Sequence, residues 1–442
     1  MAYGFETSRS KALSERLQRS LPGGDTRSIT YYAPYPLGIA RGSGYRLWDV
    51  DGNEFVDLLN NYTALVHGHA HPSIVEAIRA QAPLGTAFPA PTELQAELAE
   101  RVCSWFESVD LVRFTNSGSE GDIMAIRAAR AYTGREEIVK ADGGYHGLWE
   151  QVPMSWGVQH GRVGAGDNAS SGEAWDTAIP KGVRELVHMV DFNDVEQLEA
   201  IMTERGDRVA ALIFEPVLGE GVVAGSPEFF RRSRELADEY GALLIIDEVI
   251  TQRLDSGGYQ AVLGVRPDLT VVGKIVGGGL PVGGFGGRAD VMELFDPRLS
   301  TYVAHAGTFN GNPLTTAAGC ASLDLLTPSE IERINRLGAQ LADGLREALA
   351  ANGLEGTITD CGSLVHVHFE AGEEIRSFRD VNLHSPTLLR LHAAALEQSL
   401  YIAPRGTLNV STAMDESVVE VAVERLGRAL QTVAEGADVG VA

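Results

Sequence analysis

Cysteine is scarce: Cys103, Cys320 and Cys361 are the only three in 442 residues. They lie far apart, match no zinc-binding spacing and cannot all pair with one another, which excludes a disulfide framework and leads us to expect a reducing cytoplasm. Basic residues are outnumbered, with 36 Lys and Arg against 60 Asp and Glu and a formal net charge of -24. Without clustered positive charge there is nothing to neutralise phosphates, so no nucleic-acid partner is expected. No apolar run is long enough to span a bilayer, and Met1–Glu6 has no basic region leading into an apolar stretch, so neither a membrane span nor a targeting segment is expected. The glycine-rich stretches 277–279 and 283–287 lack the Lys-Ser/Thr ending of a phosphate loop and do not lie between a first strand and its helix, which argues against a nucleotide site.

What remains is an ordinary globular composition, 44% hydrophobic and 22% charged, long enough for two domains with a sizeable core. Apolar β-branched runs at 209–214, 242–246 and 269–272 alternate with helical patterns such as Val195–Glu204 and Pro227–Tyr240. Repeated strand-helix-strand units predict an α/β fold with a mostly parallel sheet. Two runs end in charge: Asp247 follows the first strand of the central pair and Lys274 the second. Ligands bind at the carboxyl ends of strands in open α/β sheets. A buried amine there is costly to keep charged and becomes nucleophilic once deprotonated, which is what a Schiff-base lysine requires. For either residue alone, a strand-end ion pair is the plainer reading.

Other stretches have two readings each. Asn116-Ser117-Gly118-Ser119-Glu120-Gly121 precedes a helix; its free N–H groups and hydroxyls suit a phosphate, but they would also make a good helix start. Gly143-Gly144-Tyr145-His146-Gly147 is a glycine turn, and Glu215 ends another buried strand. His67-Gly68-His69-Ala70-His71-Pro72 alternates histidines, but its glycine and proline make it a loop, and no metal is expected there. Residues 151–182 are rich in Gly, Ser and Asn, a length expected of a lid or mobile segment. An acidic protein that handles carboxylates needs local arginines. Arg27 and Arg405 both lie in Pro/Gly-flanked loops, where a surface or structural ion pair is the plain reading of each.

In order, Asp247-Glu248-Val249-Ile250-Thr251, Gly273-Lys274 to Pro281, and Gly307-Thr308-Phe309-Asn310-Gly311-Asn312-Pro313 resemble the class III pyridoxal-phosphate aminotransferases. The resemblance covers nearly the whole chain. It implies fold type I, with a large cofactor-binding domain over 60–315 and a small α+β domain from 1–59 and 316–442. It also implies that Lys274 holds pyridoxal 5'-phosphate and Asp247 pairs with its pyridine nitrogen. Ser117, Gly118, Ser119, Tyr145, Glu215, Val249 and Thr308 complete the implied cofactor site, with Thr308 reaching across a homodimer. Within the family, the Arg27 loop with Tyr31 and Tyr32 as an apolar wall, Gln252-Arg253-Leu254, and Pro404-Arg405-Gly406 look most like β-amino-acid (β-phenylalanine-type) aminotransferases, with a keto acid as acceptor, which implies that Arg27 and Arg405 are the arginines that bind substrate carboxylates. Glutamate-1-semialdehyde 2,1-aminomutase is the runner-up. A sensor or scaffold without activity is the alternative from another class, and intact Lys274 and Asp247 argue against it.

Overall fold

The computed structural model describes residues 3–152, 179–372 and 374–436; most of the stretch expected as a lid lies outside them. The chain forms two compact units, one from Met1–His71, Arg333–Glu374 and Asn382–Ala442, the other from Pro72–Glu332 and Ile375–Val381. The division therefore falls near 71 and 333, beyond the positions 59 and 315 expected from the sequence. Residues 60–71 are tied to the first unit by Asn60 Nδ2 to Asn409 O (3.1 Å) and by the reciprocal backbone pair Gly44–His69. Helix Pro313–Leu325 packs instead on helices Pro72–Gln81 and Glu93–Trp105 of the second.

In the first unit, strands β1 (Ile39–Ser43), β2 (Arg46–Asp49) and β3 (Glu54–Asp57) form an antiparallel meander. In the second, seven strands make one sheet: β4 (Leu111–Thr115), β5 (Glu137–Ala141), β6 (Val187–Val190), β7 (Val209–Phe214), β10 (Leu243–Asp247), β11 (Leu269–Gly273) and β12 (Gly283–Gly287). Between them in sequence lies a small hairpin, β8 (Val217–Leu218) with β9 (Val223–Ala224). The order β4-β12-β11-β10-β7-β5-β6 has every pair parallel except those of β12, which runs against both neighbours. Strands buried on both faces read as continuous apolar runs, and β7 and β10 are buried throughout. Helices between them have local stops and starts. Ser226 caps Pro227–Tyr240 by accepting from Phe229 N at 3.1 Å, and Gly241 ends it at φ 65°, a left-handed position where glycine carries no Cβ penalty.

Strand β12 escaped the sequence reading. It is Gly-Gly-Phe-Gly-Gly, without side-chain alternation, yet it lies inside the sheet, paired on both sides. The glycines are steric: a Cβ at Gly283 would lie 1.9 Å from Ser117 O, and one at Gly287 2.0 Å from Asp268 O.

The first unit ends with β13 (Thr357–Cys361), β14 (Leu364–His368) and β16 (Thr407–Asn409) in an antiparallel sheet, while β15 (Leu400–Tyr401) joins the meander, parallel to β3. Among the described residues no helix is long and apolar enough to cross a membrane.

Candidate active site

The ends of β10 and β11 carry Asp247 and Lys274. Val271 O, opposite Asp247 in the register, accepts from Glu248 N at 2.9 Å and turns the chain out of the sheet. Lys274 adopts φ 46°, a left-handed conformation that is uncommon and costly for a residue with a side chain and that clusters at functional sites. Burial pushes its amine down to about 8, against the pull of Glu215 and Asp247, while the nearby charge of Arg253 lowers it further. At neutral pH such a lysine is about one-tenth nucleophilic free amine, far more than an ordinary exposed lysine.

Asp247 is buried and fully engaged. One oxygen accepts from Val249 N at 3.0 Å, the other from His146 Nδ1 at 2.9 Å. Glu215 is buried as well, its oxygens accepting from Tyr145 N at 2.8 Å and Gly219 N at 3.3 Å. Burial, reinforced by the charge of Asp247, raises its carboxyl to about 8.

Ser117 caps helix Gly118–Thr133, accepting from Glu120 N at 3.2 Å. The N–H groups of Gly118 and Ser119 belong to the helix's first turn, where no intrahelical carbonyl is available. This end is walled closely: a Cβ at Gly118 would sit 2.8 Å from Val249 Cγ2, and one at Gly147 2.3 Å from Ser119 Oγ. Ser117, Gly118, Ser119, Tyr145, Glu215, Asp247, Val249 and Lys274 are thus all brought together in the second unit.

The same donor set tests the cofactor. Pyridoxal phosphate has a dianion at one end and a basic ring nitrogen at the other. The helix N-terminus supplies donors and the positive end of a dipole for the first, the buried Asp247 carboxylate a partner for the second, and Lys274 an amine for the aldehyde. Tyr145 and Val249 supply an aromatic and an aliphatic surface for a flat ring. The residues fit the group. When bound, it supplies an electron sink for the charge left on a substrate carbon after its proton is removed.

Thr308 is exposed in the turn 307–310, two residues from Asn310, whose side chain accepts from Asn116 at 2.7 Å. Arg27, Tyr31 and Arg405 belong to the first unit. Arg27 Nη1 donates to Asn61 Oδ1 at 2.9 Å, and Tyr31 is 54% exposed. Tyr32 corrects an expectation: it is no pocket wall but a core residue, 5% exposed, packed against His392 at 4.4 Å and accepting from Leu37 N at 2.9 Å. The histidine loop is held within the same unit, His69 to Asp57 at 2.6 Å and His67 to Thr412 at 2.9 Å.

Two residues at the centre of the site had no role in the sequence reading. His146 was part of the glycine turn, and Asp122 fell just after the small-residue turn 116–121 without a reading of its own. An acid wedged between Gly121 and the apolar Ile123-Met124-Ala125 was the available signal. Lys140, fully buried on β5 with its amine lowered to about 8 by burial, is a third.

The sequence profile described as aminotransferase class-III matches residues 30–426. A glutamate-1-semialdehyde 2,1-aminomutase from Sorangium cellulosum is 40% identical, covering 89% of this chain and 89% of that one. A beta-phenylalanine transaminase from Variovorax paradoxus is 38% identical, covering 93% and 90%. A solved omega-transaminase from Sphaerobacter thermophilus superposes with a TM-score of 0.91 at 41% identity, covering 96% and 98%. A match over nearly the whole length, around a site built for the cofactor, leads to one conclusion: the chain belongs to the class III aminotransferases, fold-type I enzymes that use pyridoxal phosphate.

Proposed function

We propose that the protein is an aminotransferase that takes the amino group of a β-amino acid, aromatic in the best case, and passes it to a keto acid in a ping-pong cycle. The observation that carries this reading is the environment of Arg27. Its guanidinium is held by the neutral amide of Asn61, and among the described residues it has no carboxylate within ion-pair distance. The nearby Asp25 carboxylate is occupied by the backbone N–H groups of Thr26 (2.6 Å) and Arg27 (3.2 Å) and by the Thr30 hydroxyl. The Asn61 side lies in a run of four left-handed residues, Asn60 to Thr63, with φ from 46° to 71°. Such a run is costly for residues with side chains. In a chain of net charge -24, an arginine bonded to a neutral amide, whose neighbouring acid Asp25 is taken up by other donors, is suited to a bidentate carboxylate.

A β-amino acid separates amine and carboxylate by one more carbon than an α-amino acid. Turning over both kinds of substrate therefore requires two carboxylate positions, and Arg27 and Arg405 supply them. Lys274 Nζ is the base that removes the substrate proton and returns it, and Asp247 holds the ring nitrogen protonated. The relatives named as aminomutases favour a second reading, conversion of glutamate-1-semialdehyde. An amino-donor panel with pyruvate and 2-oxoglutarate as acceptors separates the two. Arg27→Ala and Arg405→Ala should each raise KM about tenfold or more for carboxylated donors and much less for simple amines, from the ~1.5–3 kcal/mol of a hydrogen bond to a charged group. Equal losses on amines without a carboxylate would assign the arginines to folding, and exclusive conversion of glutamate-1-semialdehyde would establish the second reading.

We further infer that the active unit is a homodimer with Thr308 serving the neighbouring subunit's cofactor phosphate. Phe309 beside it is 59% exposed, and its side chain is of the aromatic kind in which interfaces are enriched, which supports this reading. The three cysteines, none of them in a disulfide, support a reducing compartment such as the cytoplasm.

A further inference from the structure

Beneath the cofactor-facing carboxylate lies a second one. Asp122, His146 and Asp247 are 2%, 0% and 3% exposed, and one ligand atom from each lies within 4.8 Å of the others. Asp122 is carried there by helix Gly118–Thr133, which approaches the sheet so closely at Gly121 that a Cβ would meet Gly284 O at 2.7 Å. Two carboxylates so close and so dry cannot both be ionised, because each charge disfavours the other and burial disfavours both. Asp247 has the better claim to the charge. It accepts from Val249 N and His146 Nδ1, whereas one Asp122 oxygen has no hydrogen-bond partner among the described residues.

We propose that Asp122 is a positioning residue for the reaction, a carboxylic acid that donates a hydrogen bond to the Asp247 carboxylate from one side while neutral His146 donates from the other. A single negative charge is then fixed on Asp247, facing the ring nitrogen, with its other lone pairs occupied by donors. The direction of the shifts agrees. Burial and the charge of Asp247 push the Asp122 carboxyl well above the usual range, and burial holds the His146 imidazole below its own. The contact with Asp247 places a proton on His146 Nδ1, and Nε2 is buried with no hydrogen-bond partner among the described residues, which agrees with the neutral tautomer's single N–H. The 2.9 Å separation is a hydrogen-bond length, so a shared proton accounts for the cluster without an ion. The arrangement holds for either amino donor.

The test uses holoenzyme reconstituted with pyridoxal phosphate carrying 15N in the ring. In Asp122→Leu, which keeps the volume but removes the donor, the ring-nitrogen resonance should move toward that of unprotonated pyridine. kcat should fall about 10–100-fold, the usual cost of losing a partner that orients a catalytic ligand, with KM little changed. Asp122→Asn restores a neutral donor, and should recover a resonance within the wild-type range and a kcat at least tenfold above that of Asp122→Leu. A wild-type resonance in Asp122→Leu would overturn the proposal, as would an asparagine variant no better than leucine, which would mean that an ionised Asp122 is needed. Stoichiometric metal retained by the holoenzyme and lost in both variants would also overturn it. If the leucine variant does not fold, Asp122→Ala takes its place, with the same shifted resonance expected and a wild-type resonance overturning the proposal.

Discussion

Gly121→Ala sets a local preference against a tertiary one. Within a helix, alanine is favoured over glycine by about 1 kcal/mol, so the substitution taken alone should stabilise Gly118–Thr133. The added Cβ would lie 2.7 Å from Gly284 O and 2.9 Å from Val271 Cγ1, the first about 0.6 Å inside the ~3.3 Å lower limit of a C···O contact. Gly284 cannot yield, since it sits in β12 between Phe114 of β4 and Val272 of β11. The helix must therefore move. Overpacking of this kind costs about 1–3 kcal/mol, so the collision outweighs the propensity by up to about 2 kcal/mol. The displaced end is the one that presents Ser117, Gly118 and Ser119. We expect Tm to fall by about 2–4 °C for each kcal/mol of net loss, and the Kd for pyridoxal phosphate, read by absorbance titration of the apoprotein, to rise about tenfold, equivalent to ~1.4 kcal/mol. A Tm raised by a few degrees with unchanged Kd would refute the reasoning, showing that the helix has room at Gly121.

Lys274→Ala should abolish turnover, and borohydride reduction of the wild-type holoenzyme should place the pyridoxyl label on Lys274; a label elsewhere would remove its assignment. Asp247→Asn should keep the cofactor bound yet lose most of the rate, because a neutral ring nitrogen is a poor electron sink; a rate close to wild type would count against the pairing. Mixing Lys274→Ala with Thr308→Ala subunits should regenerate one intact site per hybrid dimer. No recovery, with subunit exchange confirmed independently, would argue that Thr308 acts only within its own chain.

Legibility in the sequence followed burial. Val209–Phe214 and Leu243–Asp247 could be read as central strands because a strand covered on both faces needs apolar side chains at every position. Gly283–Gly287 could not, because there the neighbours occupy the space side chains would fill, and a strand without side chains has no pattern. The reactive pair stood out for the same reason: a charge at the end of an apolar run is conspicuous. Asp122 did not. An acid near a helix N-terminus is the expected complement to the dipole, and only the packing at Gly121 shows that it faces another carboxylate. Tyr31 and Tyr32 were equivalent on paper. The structure separates them because Tyr32 finds the Leu37 N–H and the His392 ring inside the first unit, while Tyr31 stays in solvent.

The pairing of β15 with β3 has a consequence for the order in which the protein is made. Asn60 and Asn409, bonded beside that seam, are 349 residues apart. On a ribosome adding about 5–20 residues per second, the N-terminal meander waits roughly 17–70 s for its last strand. The whole second unit emerges in between, all of it but Ile375–Val381 as one continuous segment from Pro72 to Glu332. It can collapse around its own sheet while β3 still presents an open edge, a template for unwanted pairing. Losing Leu400 and Tyr401 would leave that edge open for good, so a truncation that reaches back to β15 should harm the N-terminal strands before it harms the cofactor-binding sheet.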